Sequence, residues 1–371
     1  MSVLPYDSDI EVSVPIQFRA GLRVGYDTNV NSSTNNEVDS TYISGSMGAS
    51  YGYISGRNAI TLDLGAGVTT YPDQASGLED SFYNARGELR LTHRLTERAT
   101  LSNLTYVAYE FESDNVESES LNRRTDQYLF FRNRSAVDYV WTPYLSTTTS
   151  YTISGLDYDD ALSSASEDRL THIFAHIFRV AVTERSDALI EGRFKYTDYD
   201  TNPNDSLSYF GLLGWDWKFA ELSRLTARVG AEFRDADVTG ERTAPYASLG
   251  LTHSLTEAWS VSWLNRLALE DSEAAGTNNY TFRTNLRTSY AISDRVTTFA
   301  NIVYRFSDFQ DGVAGAVESD ESGFIFGSGI TYAINPNWSV DATYYFNLID
   351  SSRNFRDFER NRFAVGFSAQ F

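Results

Sequence analysis

Residues 225–234 read LTARVGAEFR, with an apolar side chain at every odd position and a polar residue or glycine at every even one. Residues 18–27 (FRAGLRVGYD) and 60–69 (ITLDLGAGVT) repeat the same alternation. A period of two over this length predicts β-strands with one apolar and one polar face. The alternation returns along the whole chain, and no sustained stretch has helical spacing. The chain is therefore predicted to be all-β.

Composition narrows the class of protein. The chain has 371 residues, no cysteine, 14% aromatic residues and a net charge of −20. The lack of cysteine excludes a disulfide scaffold and thiolate metal sites, and the negative charge argues against a nucleic-acid partner. No window approaches about 18 consecutive apolar residues, which excludes transmembrane helices. A large soluble all-β protein and a transmembrane β-barrel remain.

Two kinds of break separate the alternating segments, and they take turns along the chain. Short breaks fall at 55–57, 95–98, 141–143, 182–185, 220–223, 255–258, 292–295 and 334–337. Longer, polar and acidic breaks fall at 28–40, 72–80, 112–126, 157–169, 198–206, 235–243, 270–278, 308–322 and 350–359. One strand between each pair of breaks gives 18 strands. An even number of strands with short turns on one side and longer loops on the other is typical of outer-membrane barrels.

We therefore predict a single 18-stranded antiparallel transmembrane β-barrel over residues 17–371, preceded by a short periplasmic segment at 1–16. The short turns are expected in the periplasm and the longer acidic loops outside the cell. Residues 1–5 (MSVLP) show neither the basic nor the apolar region of a secretory signal. The sequence is interpreted as a mature chain from which the signal has been removed.

The polar face carries charges that a soluble core could not bury, so it is predicted to line a water-filled lumen. The basic candidates are Arg19, Arg23, Arg86, Arg90, Arg132, Arg134, Arg193, Lys195, Arg228, Arg234, Arg266, Arg283, Arg287 and Arg305. For any single one, the favoured interpretation is an ion pair that rigidifies the wall. The expected acidic partners are Asp27, Glu88, Glu191, Glu232 and Glu270. The excess of arginine over acid still favours a weak preference for anions.

Three tryptophans at short turns, Trp141, Trp259 and Trp338, are predicted to form an interfacial aromatic girdle. The final alternating segment ends the chain on Phe371, which resembles the assembly signal of bacterial outer-membrane barrels. The expected surroundings are outer-membrane lipid and lipopolysaccharide, and the expected assembly partner is the barrel assembly machinery.

The run GYDTNV at 25–30 closes the first predicted strand, and EVDSTY at 37–42 opens the second after a polar loop. This arrangement resembles the start of the β-barrel porin 2 family. The resemblance implies an outer-membrane barrel that lets exopolysaccharide leave the cell beside a periplasmic polysaccharide export complex.

Two other functions stay open. A barrel of this strand number leaves an aqueous channel, and the segment before it is too short for a plug, so a general or sugar-selective diffusion porin is one alternative. Aromatic residues on the polar face would then form a track: Tyr42, Phe82, Tyr128, Phe130, Tyr246, Phe299 and Tyr345. No loop exceeds about 15 residues, a length at which a deep constriction loop is not expected. The other alternative is a closed structural barrel that displays acidic loops.

Neither catalysis nor a bound cofactor is predicted. The acidic groups Asp157, Asp159, Asp160, Glu167 and Asp168, and Asp308, Asp311, Glu318, Asp320 and Glu321, could hold loop-bound calcium, although they lack EF-hand spacing. His93 and His253 precede short turns. His172 and His176 lie about 13 Å apart along one strand, too far to chelate one metal. Alternation puts both on the outward face, so either the register slips there or that face meets another subunit.

Overall fold

A computed structural model describes residues 12–72, 80–111, 127–159, 168–200, 205–270, 277–311, 319–352 and 357–371. These residues form 18 strands. The strands are β1 (Val12–Asp27), β2 (Ser40–Ile54), β3 (Asn58–Thr70), β4 (Ser81–Arg94), β5 (Ala99–Glu110), β6 (Tyr128–Thr142), β7 (Leu145–Tyr158), β8 (Arg169–Thr183), β9 (Ser186–Tyr199), β10 (Ser206–Ala220), β11 (Ser223–Ala236), β12 (Gly240–Ser254), β13 (Trp259–Glu270), β14 (Thr277–Ser293), β15 (Val296–Asp311), β16 (Ser319–Asn335), β17 (Trp338–Ser351) and β18 (Phe358–Gln370). Among the described residues, no helix is long and apolar enough to cross a bilayer.

Each strand pairs antiparallel with the next, and β18 pairs back onto β1, so the sheet is a closed barrel. The closing register runs from Arg19 opposite Gln370 to Asp27 opposite Arg362. Beyond it, the backbones of Phe18 and Phe371 exchange two hydrogen bonds of 2.9 Å. Closure leaves no strand edge with unsatisfied backbone groups, which a lipid environment requires. The predicted all-β, 18-stranded antiparallel barrel is confirmed.

The alternation of the sequence becomes the two faces of this wall. Large apolar side chains such as Leu22, Leu213 and Val229 are more than half exposed on the outer face, and the arginines of the strand centres occupy the inner face. An apolar exterior around a polar interior is the arrangement of a barrel in a bilayer, because lipid covers the outside and water fills the inside. The chain is therefore a bacterial outer-membrane protein.

Strand ends differ from the sequence-based boundaries. β1 begins at Val12, five residues before the expected start of the barrel at residue 17, and pairs there with Ile54. The predicted long loop at 235–243 is wrong, since only residues 237–239 separate β11 from β12. Gly240 has a φ of +70°, a left-handed backbone conformation that glycine adopts without steric cost and that permits the tight turn.

Candidate functional site: the channel lumen

The inner face gathers the basic residues that the sequence singled out. On each strand they alternate with the exposed apolar residues, which places all of them on the lumen side: Arg19, Arg23, Arg86, Arg90, Arg132, Arg134, Arg193, Lys195, Arg228, Arg234, Arg266, Arg283, Arg287 and Arg305. Sequence reasoning missed Arg179, Arg224, Arg360 and Arg362, which share this face. Arg360 and Arg362 went unnoticed because they follow directly on the break predicted at 350–359.

One wall of the lumen is an ion-pair network centred on Asp216 of β10, whose side chain is 4% exposed. Its carboxylate lies 2.6 Å from Arg224 and 2.9 Å from Arg228. Arg228 also lies 3.7 Å from Glu191, which binds Arg193 at 2.6 Å. These three arginines outnumber the two carboxylates by one, so the network stiffens the wall and leaves a small excess of positive charge on it.

Further pairs continue around the barrel. Arg234 lies 2.8 Å from Glu232, and Arg305 lies 2.5 Å from Glu321, with all four side chains at most 5% exposed. Glu270 pairs with Arg266 and, at 3.7 Å, with Arg283. Less buried pairs join Arg19 to Asp63 and Arg23 to Asp341, at 2.6 and 2.9 Å. For these arginines the geometry is that of a wall-stiffening pair.

A second group of arginines has no such partner. Among the residues that the structure describes, Arg86, Arg134 and Arg287 form no ion pair. Arg86 borders a cavity of about 610 Å³ inside the barrel, together with Tyr71 and Phe82. Cations of this kind leave a net positive field in water-filled space, which attracts anions.

Aromatic residues line the loop end of the lumen. Tyr42, Tyr71, Phe82 and Phe111 form a buried cluster, in which Phe82 and Phe111 stack at 3.4 Å between ring centroids. Val30, from the loop between β1 and β2, is buried in the same cluster. The first loop therefore contributes to the lumen mouth, although the loop lengths predicted no deep constriction loop.

Elsewhere the predicted aromatic track is a set of separate pairs. Tyr128 packs with Tyr158 at 5.5 Å between centroids, Phe130 with Tyr106 at 6.1 Å, and Tyr246 with Phe210 at 5.8 Å. Three contacts between side chains combine a ring with a cation. The Arg193 guanidinium lies 5.1 Å from the Phe210 centroid and 5.6 Å from that of Tyr246, and Arg362 lies 5.6 Å from Tyr42.

Glycine lets two further inward rings lie against the wall. Phe299 is opposite Gly329 across β15 and β16, and a Cβ at that glycine would fall 2.5 Å from the ring. Tyr345 is opposite Gly327 on the other side of β16, where a Cβ would lie 2.8 Å from the ring. Because the space above the glycine is occupied by the ring, the ring does not project into the lumen.

The residues predicted to lie on the outer face are found there. Trp141, Trp259 and Trp338 are exposed at the turn end of the barrel, at 54%, 43% and 36%. Phe371 is exposed beside them and packs edge-on against Trp338 at 5.6 Å. His93 and His253 face outward near the turns, bonded to Asn58 and Ser223. Roles in assembly and anchoring stay predictions.

His172 and His176 face outward with Phe174 and Phe178, so the register does not slip on β8. No group of three metal-binding side chains occurs among the described residues. Several acidic candidates for calcium, Asp160, Glu167 and Glu318, fall outside those residues. The side chain of Asp311 does as well. Glu321 is not a loop ligand, since it lies on β16 and pairs with Arg305 inside the barrel. For the other candidates, loop-bound calcium stays a prediction.

Comparison with known proteins found a family model that matches more than half of the chain. Residues 146–367 match the model of the family described as "Putative MetA-pathway of phenol degradation". No curated protein matches the chain. The family differs from β-barrel porin 2, so exopolysaccharide export gains no support from the match.

Solved structures resemble the chain over most of its length. A crystal structure of Pseudomonas aeruginosa OpdK with vanillate is 14% identical, with 96% of this chain and 99% of that chain covered and a TM-score of 0.49. P. aeruginosa OccK2 (OpdF) in complex with glucuronate is 14% identical, with 96% of this chain and 98% of that chain covered and a TM-score of 0.49. Acinetobacter baumannii OccAB4 is 12% identical, with 96% of this chain and 99% of that chain covered and a TM-score of 0.48.

Proposed function

The chain belongs to the family described as "Putative MetA-pathway of phenol degradation", and from this membership and the lumen chemistry we propose an outer-membrane diffusion channel that favours small aromatic anions. The observation that carries the proposal is the cavity of about 610 Å³ on the inner face, which Arg86 borders together with the aromatic rings of Phe82 and Phe111. Arg86 forms no ion pair in the described part of the chain. A carboxylate suits the guanidinium, and an arene suits the rings.

The physical argument has three steps. An 18-stranded barrel is wide enough to leave an aqueous passage. Arg86, Arg134 and Arg287, which form no ion pair in the described part of the chain, raise the local concentration of anions. Aromatic pairs along the wall then favour a flat, apolar ring over an aliphatic one of equal charge. Passage needs no catalytic group, so the proposal is a channel and not an enzyme.

The family description also supplies a reason for such a solute. Degradation of phenolic compounds inside a cell requires that they first cross the outer membrane. Export of exopolysaccharide, implied by the GYDTNV resemblance at 25–30, is the weaker candidate because the matched family is a different one.

The test is solute entry into liposomes that carry the purified full chain. Three ionised solutes, which cross lipid slowly without a channel, separate the two contributions. Benzoate and cyclohexanecarboxylate differ in aromaticity at equal charge, and benzoate and benzyltrimethylammonium differ in the sign of their charge. We expect benzoate to enter fastest. A F82L/F111L double variant, which removes the two rings that border the cavity, should bring the entry rate of benzoate down towards that of cyclohexanecarboxylate, while a F367L variant on the outer face serves as the control. Equal entry of all three solutes would refute the proposed selectivity, and no entry of any would refute the channel itself.

A further inference from the structure

The outer face carries a polar area that lipid does not suit. Eight neighbouring side chains on β5 to β8, here called the outer polar patch, point away from the lumen. They alternate along their strands with inward residues and share their face with the exposed Leu101, Val137 and Phe174. Its members are Asn103, Thr105, Asn133, Ser135, Thr149, Tyr151, His172 and His176.

The centre of the patch lies inside the apolar band, away from its borders. Ser135 is six residues along β6 from Trp141, which belongs to the turn-end girdle. Six residues extend about 20 Å along a strand, or about 15 Å along the membrane normal at a tilt of roughly 40°, in a band about 25 Å tall. Ser135 therefore lies at the depth of the acyl chains, and His176, six residues along β8 from Val182, lies at a similar depth. His172 lies four residues nearer the loop end.

Hydrogen bonds join the patch into two groups. Asn103 donates to Ser135 at 2.9 Å, Asn133 donates to Thr105 at 2.7 Å, and Thr105 donates to Asn103 at 3.0 Å. On the neighbouring strands, Tyr151 bonds Nδ1 of His172 at 2.7 Å and Thr149 bonds Nδ1 of His176 at 2.8 Å. Within the described chain, the Nε2 atom of each imidazole has no partner.

Hydrocarbon offers these groups nothing to bond. A polar atom left without a partner in the acyl region is unfavourable in either tautomer of the histidine, since Nε2 is then a stranded donor or a stranded acceptor. About six strands away the outer face is conventional: β1 presents Leu22 and Val24, and β18 presents Val365 and Phe367. Single polar residues such as Asn265 on β13 also face outward, and the patch differs from them because eight polar side chains lie together.

We propose that the outer polar patch is the contact surface between two copies of this chain in the membrane, related by a two-fold axis along the membrane normal. With such an axis, residues at the same depth in the two copies face each other. A polar area at mid-depth on one copy therefore meets the same polar area on the other. Any other partner would need its own polar groups at that depth.

The chemistry of the patch fits contact with itself. None of its eight members carries a formal charge when the histidines are neutral, so like surfaces do not repel. Asparagine, serine, threonine, tyrosine and neutral histidine each both donate and accept hydrogen bonds. Every group can therefore find a complementary atom on an identical surface, including the two free Nε2 atoms.

The lack of native cysteine gives a direct test. A S135C variant places one thiol at the centre of the patch, and an A300C variant places one on the outer face of β15, nine strands around the barrel. Native outer membranes containing either variant are treated with a short bis-maleimide. We expect a covalent species of two chains for S135C at roughly tenfold or more the yield for A300C, since only a two-fold contact at the patch brings the thiols together.

A second measurement guards against a folding artefact. Wild-type full chain in lipid nanodiscs should have the mass of two chains, and an N133L/H176L variant the mass of one. That variant should still fold, because leucine suits lipid, and its heat-dependent electrophoretic shift reports folding directly. Equal cross-linking of S135C and A300C, a cross-linked species of any other mass, or a monomeric wild type would each overturn the proposal.

Discussion

Arg360 on β18 donates through Nε to both carboxylate oxygens of Asp27 on β1, at 2.9 and 3.0 Å, across the seam where the last strand meets the first. Asp27 is fully buried, and its Oδ1 also accepts the backbone N–H of Asn29 at 3.1 Å. At the other end of the seam, Phe18 and Phe371 exchange backbone hydrogen bonds. The closure of the barrel is therefore fixed at both ends by residues more than 300 positions apart in the sequence.

A D27N variant tests how much the ion pair of Asp27 and Arg360 at the seam contributes to the stability of the barrel. Removing the charge leaves Arg360 buried beside a neutral amide, and loss of one partner of a buried ion pair costs about 3–5 kcal/mol. The free energy of unfolding, measured by tryptophan fluorescence in urea with lipid vesicles, should fall by that amount.

The matched control is D63N, which breaks the Arg19–Asp63 pair on the same inner face. These side chains are 41% and 36% exposed, and exposed pairs contribute about 0–1 kcal/mol. Equal losses in D27N and D63N would contradict the view that burial makes the seam pair important.

A G329A variant tests the packing of an aromatic ring on a wall glycine. The added Cβ falls 2.5 Å from Phe299 and 3.1 Å from the carbonyl oxygen of Ala342, so the ring must swing towards the lumen. We expect a loss of about 1–3 kcal/mol from overpacking and a smaller single-channel conductance.

The control is G192A on β9, where an added Cβ meets nothing within 4 Å. Alanine there restricts the unfolded chain without strain, so stability should be unchanged or slightly higher. A normal conductance in G329A would contradict the expected movement of the Phe299 ring into the lumen.

The outward or inward direction of a side chain could be read from the sequence, because alternation in a strand fixes it. The partner of that side chain could not. Arg23 pairs with Asp341, 318 residues away, and nothing local to either residue indicates that β1 and β17 face one lumen at the same height. The carboxylates of Asp63 and Asp216 went unnoticed for the same reason.

One predicted loop length was wrong because the composition of the segment was misleading. Residues 235–243 (DADVTGERT) look like a polar loop, yet six of the nine belong to the ends of β11 and β12. The turn inside that run depends on a single left-handed glycine, Gly240. The packing of the loops could not be predicted from the sequence either, because the burial of Val30 beside Tyr42 and Phe111 depends on strands that are far away in sequence.

A triple variant R86Q/R134Q/R287Q tests the source of ion selectivity. These arginines form no ion pair in the described part of the chain, so their removal subtracts positive field without stranding an acid. The ratio of chloride to potassium permeability, obtained from reversal potentials in a salt gradient, should fall towards unity. The turn variant R98Q, exposed outside the lumen, should leave the ratio unchanged. A similar fall in R98Q would place the selectivity outside the lumen.

Removal of Phe371 tests the predicted assembly signal. Its backbone closes the seam with Phe18, and its ring contacts Trp338. We expect several-fold less folded barrel in outer membranes, with normal folding of the purified chain into vesicles. An F363A variant, also exposed on β18, is the control. Equal loss in both variants would assign the effect to general destabilisation of β18.

The most direct measurement is single-channel conductance of the purified full chain in a planar lipid bilayer under a salt gradient. We expect a steady open current whose reversal potential favours anions, because a closed 18-stranded barrel surrounds a passage with partnerless arginines along its described wall. Repeated insertion of folded protein without any current, or a steady current that favours cations, would contradict the account.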